Sequence, residues 1–296
     1  MITLWIVIIM YKANIFHGHW LERKKLWFNR PVSIYHRAVQ PEDDDGINIL
    51  NLCGEPKQSR GAPNKKIFDI GKHYNLIVSW DDEILNTCDN VKFMPFGTTW
   101  INKKNWRLKP KPKKFKVTTL CGGKKNTTNH LKRFDLWKKQ KKIEMPNVFW
   151  NSSHNKLPDK NNNPILDGQP TNKIKMMDAQ FHIAIENICE KNYFSEKLID
   201  CLVTGTIPIY CGCTNLGDYF DTRGIIQVQT VSDIIKTCNS LKASLYKEWK
   251  EYIEINYHLA LEYANSFSSR LHAIINEYLR DLPKPKALCP EGVSSK

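Results

Sequence analysis

Two carboxylates, an amide and a lysine stand within a dozen residues of one another at Glu186-Asn187 and Glu196-Lys197, with Tyr193 and Ser195 between them. These types suit a phosphorylated, hydroxyl-rich small molecule. A lysine offers a full positive charge to phosphate, and a carboxylate can hold a ribose diol by accepting two hydrogen bonds. A helix starting here would add free backbone N–H groups and the positive end of its dipole. A lysine in the first turn opposes that dipole, which fits either an anionic partner or plain solvent exposure. On residue chemistry alone, a nucleotide site and a helix with surface charges on its first turn both fit.

The elements that must position these groups are legible nearby. Phe181–Ile185 is a short apolar run that stops at Glu186 and Asn187, which predicts a buried strand. Over Phe194–Thr204, Leu198, Ile199, Leu202 and Val203 recur at helical spacing, and Gly205 is placed to end that helix in the left-handed conformation. Ile207–Tyr210 is strand-like again, with Pro208 expected at a strand edge or start because proline cannot donate to a sheet ladder. Strand, helix and strand make one parallel-sheet unit, and in such sheets ligands sit beyond the carboxyl ends of the strands. Glu186, Asn187, Tyr193, Glu196 and Lys197 all fall at that end.

The alternation extends along the chain. Ile47–Cys53, Tyr74–Trp80 and Val91–Pro95 read as strands with short helical or loop stretches between them, such as Asp81–Cys88, which predicts a Rossmann-like N-terminal half. Lys109-Pro-Lys-Pro-Lys-Lys114 reads as a linker, since proline removes donors and holds the chain extended. A second half opens with a strand at Phe115–Leu120 and a turn at Cys121-Gly-Gly-Lys-Lys125. A helix follows over Thr128–Lys142, with Leu131, Phe134 and Trp137 along one face. Asn151–Asn172 reads as a long mobile loop and Ser240–Leu279 as helical. The expected division is residues 1–108, a linker at 109–114, a second domain at 115–282 and a tail at 283–296. No internal repeat is present.

The formal net charge of +14 is concentrated: Ile101–Lys142 holds sixteen Lys or Arg against the single acid Asp135, and the remainder is close to neutral. Such a belt suits nucleic acid, an anionic membrane surface or a phosphorylated ligand. No zinc-finger spacing, zipper or RNA-binding aromatic signature accompanies it, so nucleic acid is not expected as a partner and most of the lysines read as solvated surface. A non-enzymatic basic nucleic-acid-binding protein is the alternative from another class.

Nine scattered cysteines, with Cys211-Gly-Cys213 too tight for a usual zinc knuckle, read as free thiols and small buried hydrophobes and favour a reducing compartment. Met1–Met10 is apolar but too short to span a bilayer as a helix, and reads as a first core strand. Together these point to a cytoplasmic protein without a stable membrane span; the alternative is a secretory lumen or the Golgi membrane, with the apolar segment as anchor. The sequons at Asn126 and Asn151 matter only in such a lumen. Asp43-Asp-Asp45 and Asp81-Asp82 read as loop and helix-cap residues rather than metal ligands.

Phe181-His-Ile-Ala-Ile-Glu-Asn187, Tyr193-Phe-Ser-Glu-Lys-Leu198 and Thr206-Ile-Pro-Ile-Tyr-Cys-Gly212 together resemble the donor-binding signature of the α1,3-fucosyltransferases, glycosyltransferase family 10. Three blocks in the right order are specific where a Glu-Lys pair alone is not. The similarity is clear over about Lys175–Val228 and weaker back to about Asn51. It implies an α/β fold of GT-B type, two Rossmann-like domains facing across a cleft, with no metal or other cofactor required. The N-terminal half is expected in reduced or divergent form, because Trp20–Asp45 shows no convincing succession of elements.

The resemblance implies an inverting transfer of fucose from GDP-fucose to a glycan hydroxyl, or the same fold working on another nucleotide sugar. It assigns Glu196 to the donor ribose, Lys197 to the diphosphate, Tyr193 and Asn187 to the walls of the donor pocket, and Glu186 to the sugar. Arg133 becomes the second cation on the diphosphate, its planar fork suited to two phosphate oxygens, with Lys124, Lys125 and Lys132 as competitors. The turn Cys53-Gly-Glu-Pro-Lys57 is similar to the family's Gly-Glu turn and makes Glu55 the general base, against a plain solvent-facing glutamate. His73 and His130 have the chemistry of a base but lie outside the pattern and read as structural.

Overall fold

The computed structural model describes residues 10–16, 25–36, 39–41, 46–56, 64–106, 112–167 and 170–283. The first sheet has five parallel strands in sequential order: β1 (Asn14–Phe16), β2 (Val32–Tyr35), β3 (Ile47–Asn51), β4 (Leu76–Ser79) and β5 (Val91–Phe93). Strands β2 to β4 are buried almost throughout, as expected of a parallel sheet covered on both faces. Helices α1 (Asn64–Gly71) and α2 (Asp82–Thr87) cover one face, where Ile67 and Ile84 pack with Tyr35, Leu50 and Ile77. An antiparallel pair, Tyr11–Lys12 with Trp27–Phe28, stands apart from the sheet.

The second sheet has six parallel strands. They are β6 (Lys114–Cys121), β7 (Asn147–Ser152), β8 (Ile165–Leu166), β9 (Ala179–Ile185), β10 (Ile207–Cys211) and β11 (Ile226–Gln227), in the spatial order β8-β7-β6-β9-β10-β11. The chain runs outward from β6 to β8, returns beside β6 as β9 and runs outward the other way. The gap between β6 and β9 is therefore the topological switch point, where the connections on either side diverge and leave a crevice. Helices α3 (Thr128–Lys138), α4 (Glu196–Val203), α5 (Val231–Ser240), α6 (Ser244–Glu248) and α7 (Lys250–Ala264) belong to this half. Leu136, Trp137 and Ile234 pack with the apolar side chains of β6, β9 and β10 in one cluster, and Leu198, Leu202, Ala260 and Tyr263 pack with Ala184 and Tyr210 in another.

The last helix, α8 (Phe267–Asp281), returns to the first half: Phe267, Leu271, Ile275 and Leu279 pack with Phe28, Ile34, Ile49 and Val78. Arg270, near its start, donates to the carbonyls of Pro95, Phe96 and Gly97. Helix α8 thus ties the last described part of the chain to the first half.

Several sequence expectations need correction. Trp20–Asp45 is not devoid of regular structure, since β2 lies within it; a four-residue strand behind Pro31 is too short for its periodicity to register. Asn151–Asn172 is not one long loop, because it contains the end of β7, all of β8 and the start of the 3-10 helix Pro170–Asp178. Asn151 itself is fully buried, its side-chain amide donating to the Leu157 carbonyl and accepting the Leu157 N–H, so its sequon is not accessible in the folded chain. In α3 the inward face carries Asn129, His130, Leu136 and Trp137, while Leu131 is 51% exposed. Residues 1–9 of the strand expected at Met1–Met10, Asp43-Asp-Asp45, residues 109–111 of the linker, and the tail beyond Pro283 lie outside the described residues.

Other expectations have direct physical outcomes. Gly205 has φ 64°, its N–H donates to Leu202 O and that of Thr206 to Cys201 O, the paired bonds of a Schellman helix end. Pro208 is the second residue of β10, near the strand start as expected. The neighbouring β11 pairs only with Ile209 and Tyr210, so Pro208 occupies the end of β10 that this short strand does not reach.

Candidate active site

A cavity of about 230 Å³ opens beyond the carboxyl ends of β6 and β9, at the switch point. Its walls include Glu55 from the first half, and Leu120, Lys124, His130, Arg133, Lys173, Asn187, Glu196 and Lys197 from the second. Strand register brings these groups together: Ile185 lies beside Cys211, and the Glu186 N–H donates to the Cys211 carbonyl, so the chain leaves both strands at one level.

Glu55 sits in an exposed turn after β3. That turn is tied by the Cys53 N–H to Asn51 Oδ1 at 3.1 Å and by the Trp80 indole N–H to Gly54 O at 3.2 Å. Asn187 reaches it from the other half, its Nδ2 donating to Glu55 Oε2 at 2.5 Å while its Oδ1 accepts from Arg133 Nη2 at 2.6 Å. Arg133 also donates through Nε to the Ile185 carbonyl at 3.0 Å, so the fork of α3 is locked onto the tip of β9. Burial pulls the Arg133 guanidinium below its usual pKa, and the nearby Glu186 opposes that shift.

Lys197 and Glu196, in the first turn of α4, belong to a compact charge network. Lys197 Nζ lies 3.1 Å from Glu196 Oε1 and 3.7 Å from Glu186 Oε2, with its side chain 21% exposed. Burial acts to lower the Lys197 ammonium, and Glu196 and Glu186 outweigh it to raise its pKa. Burial would raise the Glu196 carboxyl, but Lys197 and Lys173 hold it at about 2. Lys173 lies 3.5 Å from Glu196 Oε1 and 3.2 Å from Asp200 Oδ2, and stands over the Trp100 ring at 4.2 Å. Asp200 in turn accepts from Thr99 Oγ1 and from the Trp100 N–H, fixing the segment that crosses between the halves. His130 and His182 also line the cavity. Burial lowers them to about 4 and about 3, aided by Arg133 beside His130 and by Lys173 beside His182.

Two of the residues expected at the donor pocket do not line the cavity. Glu186 does not face the cavity: it is fully buried, and its carboxylate accepts the Ser195 N–H at 2.8 Å and the Ser195 hydroxyl at 2.6 Å. The amino end of α4, where the sequence suggested phosphate, is therefore occupied by a carboxyl group of the chain itself, held by the N–H and hydroxyl of the capping Ser195. Burial raises the Glu186 pKa against the pull of Lys197. Gly212 allows this packing, because a Cβ there would lie 2.5 Å from Glu186 Cγ and 2.4 Å from Tyr210 Oη. Tyr193 is likewise fully buried; its ring packs on Trp80 at 4.9 Å, and its hydroxyl has no hydrogen-bond partner among the described residues.

Glu55, Arg133, Asn187, Glu196 and Lys197 are brought together as expected, and Lys124 joins them. Lys173, Asp200, Trp100 and His182 were missed. Nothing local in the sequence marks Lys173, which lies just past the stretch read as loop and meets its partners only in the folded chain. Part of the basic belt is engaged within the fold: Lys114 and Lys116 approach Asp178, Lys139 pairs with Asp135, and Lys125 and Lys138 flank the Phe134 ring. Asp81 caps α2 by accepting the Glu83 N–H, while Asp82 contacts Asn192 and Lys191 across the halves.

The family model for the C-terminal region of glycosyltransferase family 10 (fucosyltransferase) matches residues 112–278, more than half of the chain. The chain belongs to glycosyltransferase family 10. This glycosyltransferase has the GT-B fold seen in several solved structures. An α1,3-fucosyltransferase with GDP-fucose is 15% identical, with 85% of this chain and 78% of that one aligned at a TM-score of 0.51. An α-glucosyltransferase (AGT) in complex with UDP is 13% identical, with 83% and 80% aligned at 0.54. The apo structure of OtsA is 6% identical, with 86% and 74% aligned at 0.57. At such identities the likeness is one of fold. No curated protein matches the glycosyltransferase in sequence. Among its described residues, no helix is long and apolar enough to cross a membrane.

Proposed function

We propose that the glycosyltransferase transfers fucose from GDP-fucose to a glycan hydroxyl with inversion at the anomeric carbon. The observation that carries this reading is the chain of contacts Glu55–Asn187–Arg133, which sets a carboxylate of one half facing the cations of the other across a single cavity. An inverting displacement needs that opposition. A base must take the acceptor proton on one face of the sugar while negative charge grows on the diphosphate leaving from the other. In this reading Glu55 is the base, and Arg133 and Lys197 stabilise the departing diphosphate without a metal ion. Glu196, held ionised, accepts from the ribose hydroxyls. Asn187 orients both sides of the reaction, and Lys124 extends the positive wall.

Thermal shifts with GDP, UDP and CMP side by side test the donor, and a panel of nucleotide sugars assayed for released nucleotide tests the transfer. A shift with GDP and release from GDP-fucose support the proposal. Absence of any GDP shift at millimolar concentration rejects the donor assignment, and a preference for UDP moves the chain to another nucleotide sugar.

A further inference from the structure

Among the described cysteines, one pair is in sulfur contact. Cys189, exposed on the loop after β9, places its Sγ 3.5 Å from Sγ of Cys211, the buried last residue of β10. The contact is built from both sides: Asn129 Nδ2 donates to Cys189 Sγ at 3.3 Å, and Lys132 Nζ to Cys211 Sγ at 3.3 Å. Nearby Cys213 turns away and contacts Asn215 Oδ1.

We propose that Cys189 and Cys211 close to a reversible disulfide that fastens the loop behind β9 to the end of β10. A disulfide needs sulfurs about 2 Å apart. The closure required is therefore small, and it falls on an irregular loop, at its exposed residue Cys189, rather than on the strand. The co-reactant is a low-molecular-weight disulfide such as oxidised glutathione. The Cys189 thiolate attacks one of its sulfurs, forming a mixed disulfide as the original S–S bond breaks and the first glutathione thiolate leaves. Cys211 then gives up its proton to solvent and attacks Cys189 Sγ, expelling the second glutathione thiolate. Two protein thiols are oxidised and one disulfide is reduced to two thiols.

The order of attack follows from the surroundings. The hydrogen bond from Cys211, with Asn129 and Lys132 beyond it, lowers the Cys189 thiol to about 6 against the partial desolvation of its sulfur. Cys189 is also the exposed residue of the pair. The Cys211 pKa is raised, first by its bond to Cys189 and then by burial. Once Cys189 is capped that bond is lost, and Lys132 remains to favour the Cys211 thiolate for the second step.

The test treats the full chain with oxidised glutathione, blocks remaining thiols by alkylation, and maps the peptides by mass. The expected product links the Cys189 and Cys211 peptides with loss of two hydrogens and reopens with dithiothreitol. Amide exchange over residues 187–192 should slow by roughly tenfold in the linked protein. Cys211→Ser should stop the reaction at a glutathione adduct on Cys189. Lys132→Met, which leaves the buried strand intact, should make that adduct accumulate several-fold before closure. A lasting adduct in the wild type, a link to any other cysteine, or no reaction overturns the proposal, and a link that leaves amide exchange unchanged overturns the fastening. None of these measurements depends on the donor assignment.

Discussion

Asn187 Nδ2 donates to Glu55 Oε2 at 2.5 Å, joining residues 132 positions apart in the chain and on opposite halves of the fold. The same amide accepts from Arg133, so the exposed carboxylate, the amide and the half-buried guanidinium form one continuous chain of hydrogen bonds. Removing any member should affect turnover differently from binding.

Glu55→Gln keeps the size of the side chain and its ability to accept from Asn187 but removes the base. Turnover should fall by about 10²- to 10⁴-fold, the usual contribution of a positioned base. GDP binding, read by thermal shift, should change little. Full retention of activity would remove Glu55 from the chemistry.

Lys173 neutralises two buried carboxylates, Glu196 and Asp200. Lys173→Met should destabilise the protein by about 3–5 kcal/mol, since breaking a buried network from one side leaves uncompensated charge. Adding Asp200→Asn should recover part of that loss, because the amide oxygen can still accept from Thr99 and Trp100. Urea unfolding of the single and double variants measures both terms, and a neutral Lys173→Met would show the network to be dispensable.

Tyr193→Phe distinguishes the packing role seen in the structure from the donor contact implied by family resemblance. The buried hydroxyl has no partner among the described residues, so its loss should leave stability unchanged or raise it by about 1 kcal/mol. GDP affinity should stay within about twofold. A loss beyond about tenfold would mean that the hydroxyl reaches the donor after all.

Stability should fall as the solution is acidified below neutrality. Burial, with Lys173 and Lys113 nearby, lowers His182 from 6.5 to about 3, so between these values the unfolded chain binds a proton that the folded chain refuses. That difference favours unfolding as pH drops, by up to about 1.4 kcal/mol per pH unit for one such group. His130, lowered to about 4, adds in the same direction over a narrower window. Melting temperatures from pH 7 to pH 5 should therefore decline, and the decline should be shallower in His182→Asn. Equal slopes would assign the acid sensitivity elsewhere.

The strand at Phe181–Ile185, the helix behind it, its left-handed end at Gly205 and the strand after Thr206 were readable in the sequence because each depends on short-range periodicity or on one residue's backbone freedom. The grouping of Glu196 and Lys197 near Asn187 follows from the same unit, since a parallel strand–helix connection brings the strand tip and the helix start to one end of the sheet. Strands β2 and β7 were not readable: one is four residues behind a proline, and the other merges into an Asn-rich stretch whose composition suggests loop. Only the tertiary structure placed Lys173 between Glu196 and Asp200, turned Glu186 inward to the amino end of α4, and set Asn187 against Glu55. Those contacts depend on the register of β6 against β9 and on how the two halves meet, and neither leaves a local signal in the order of residues.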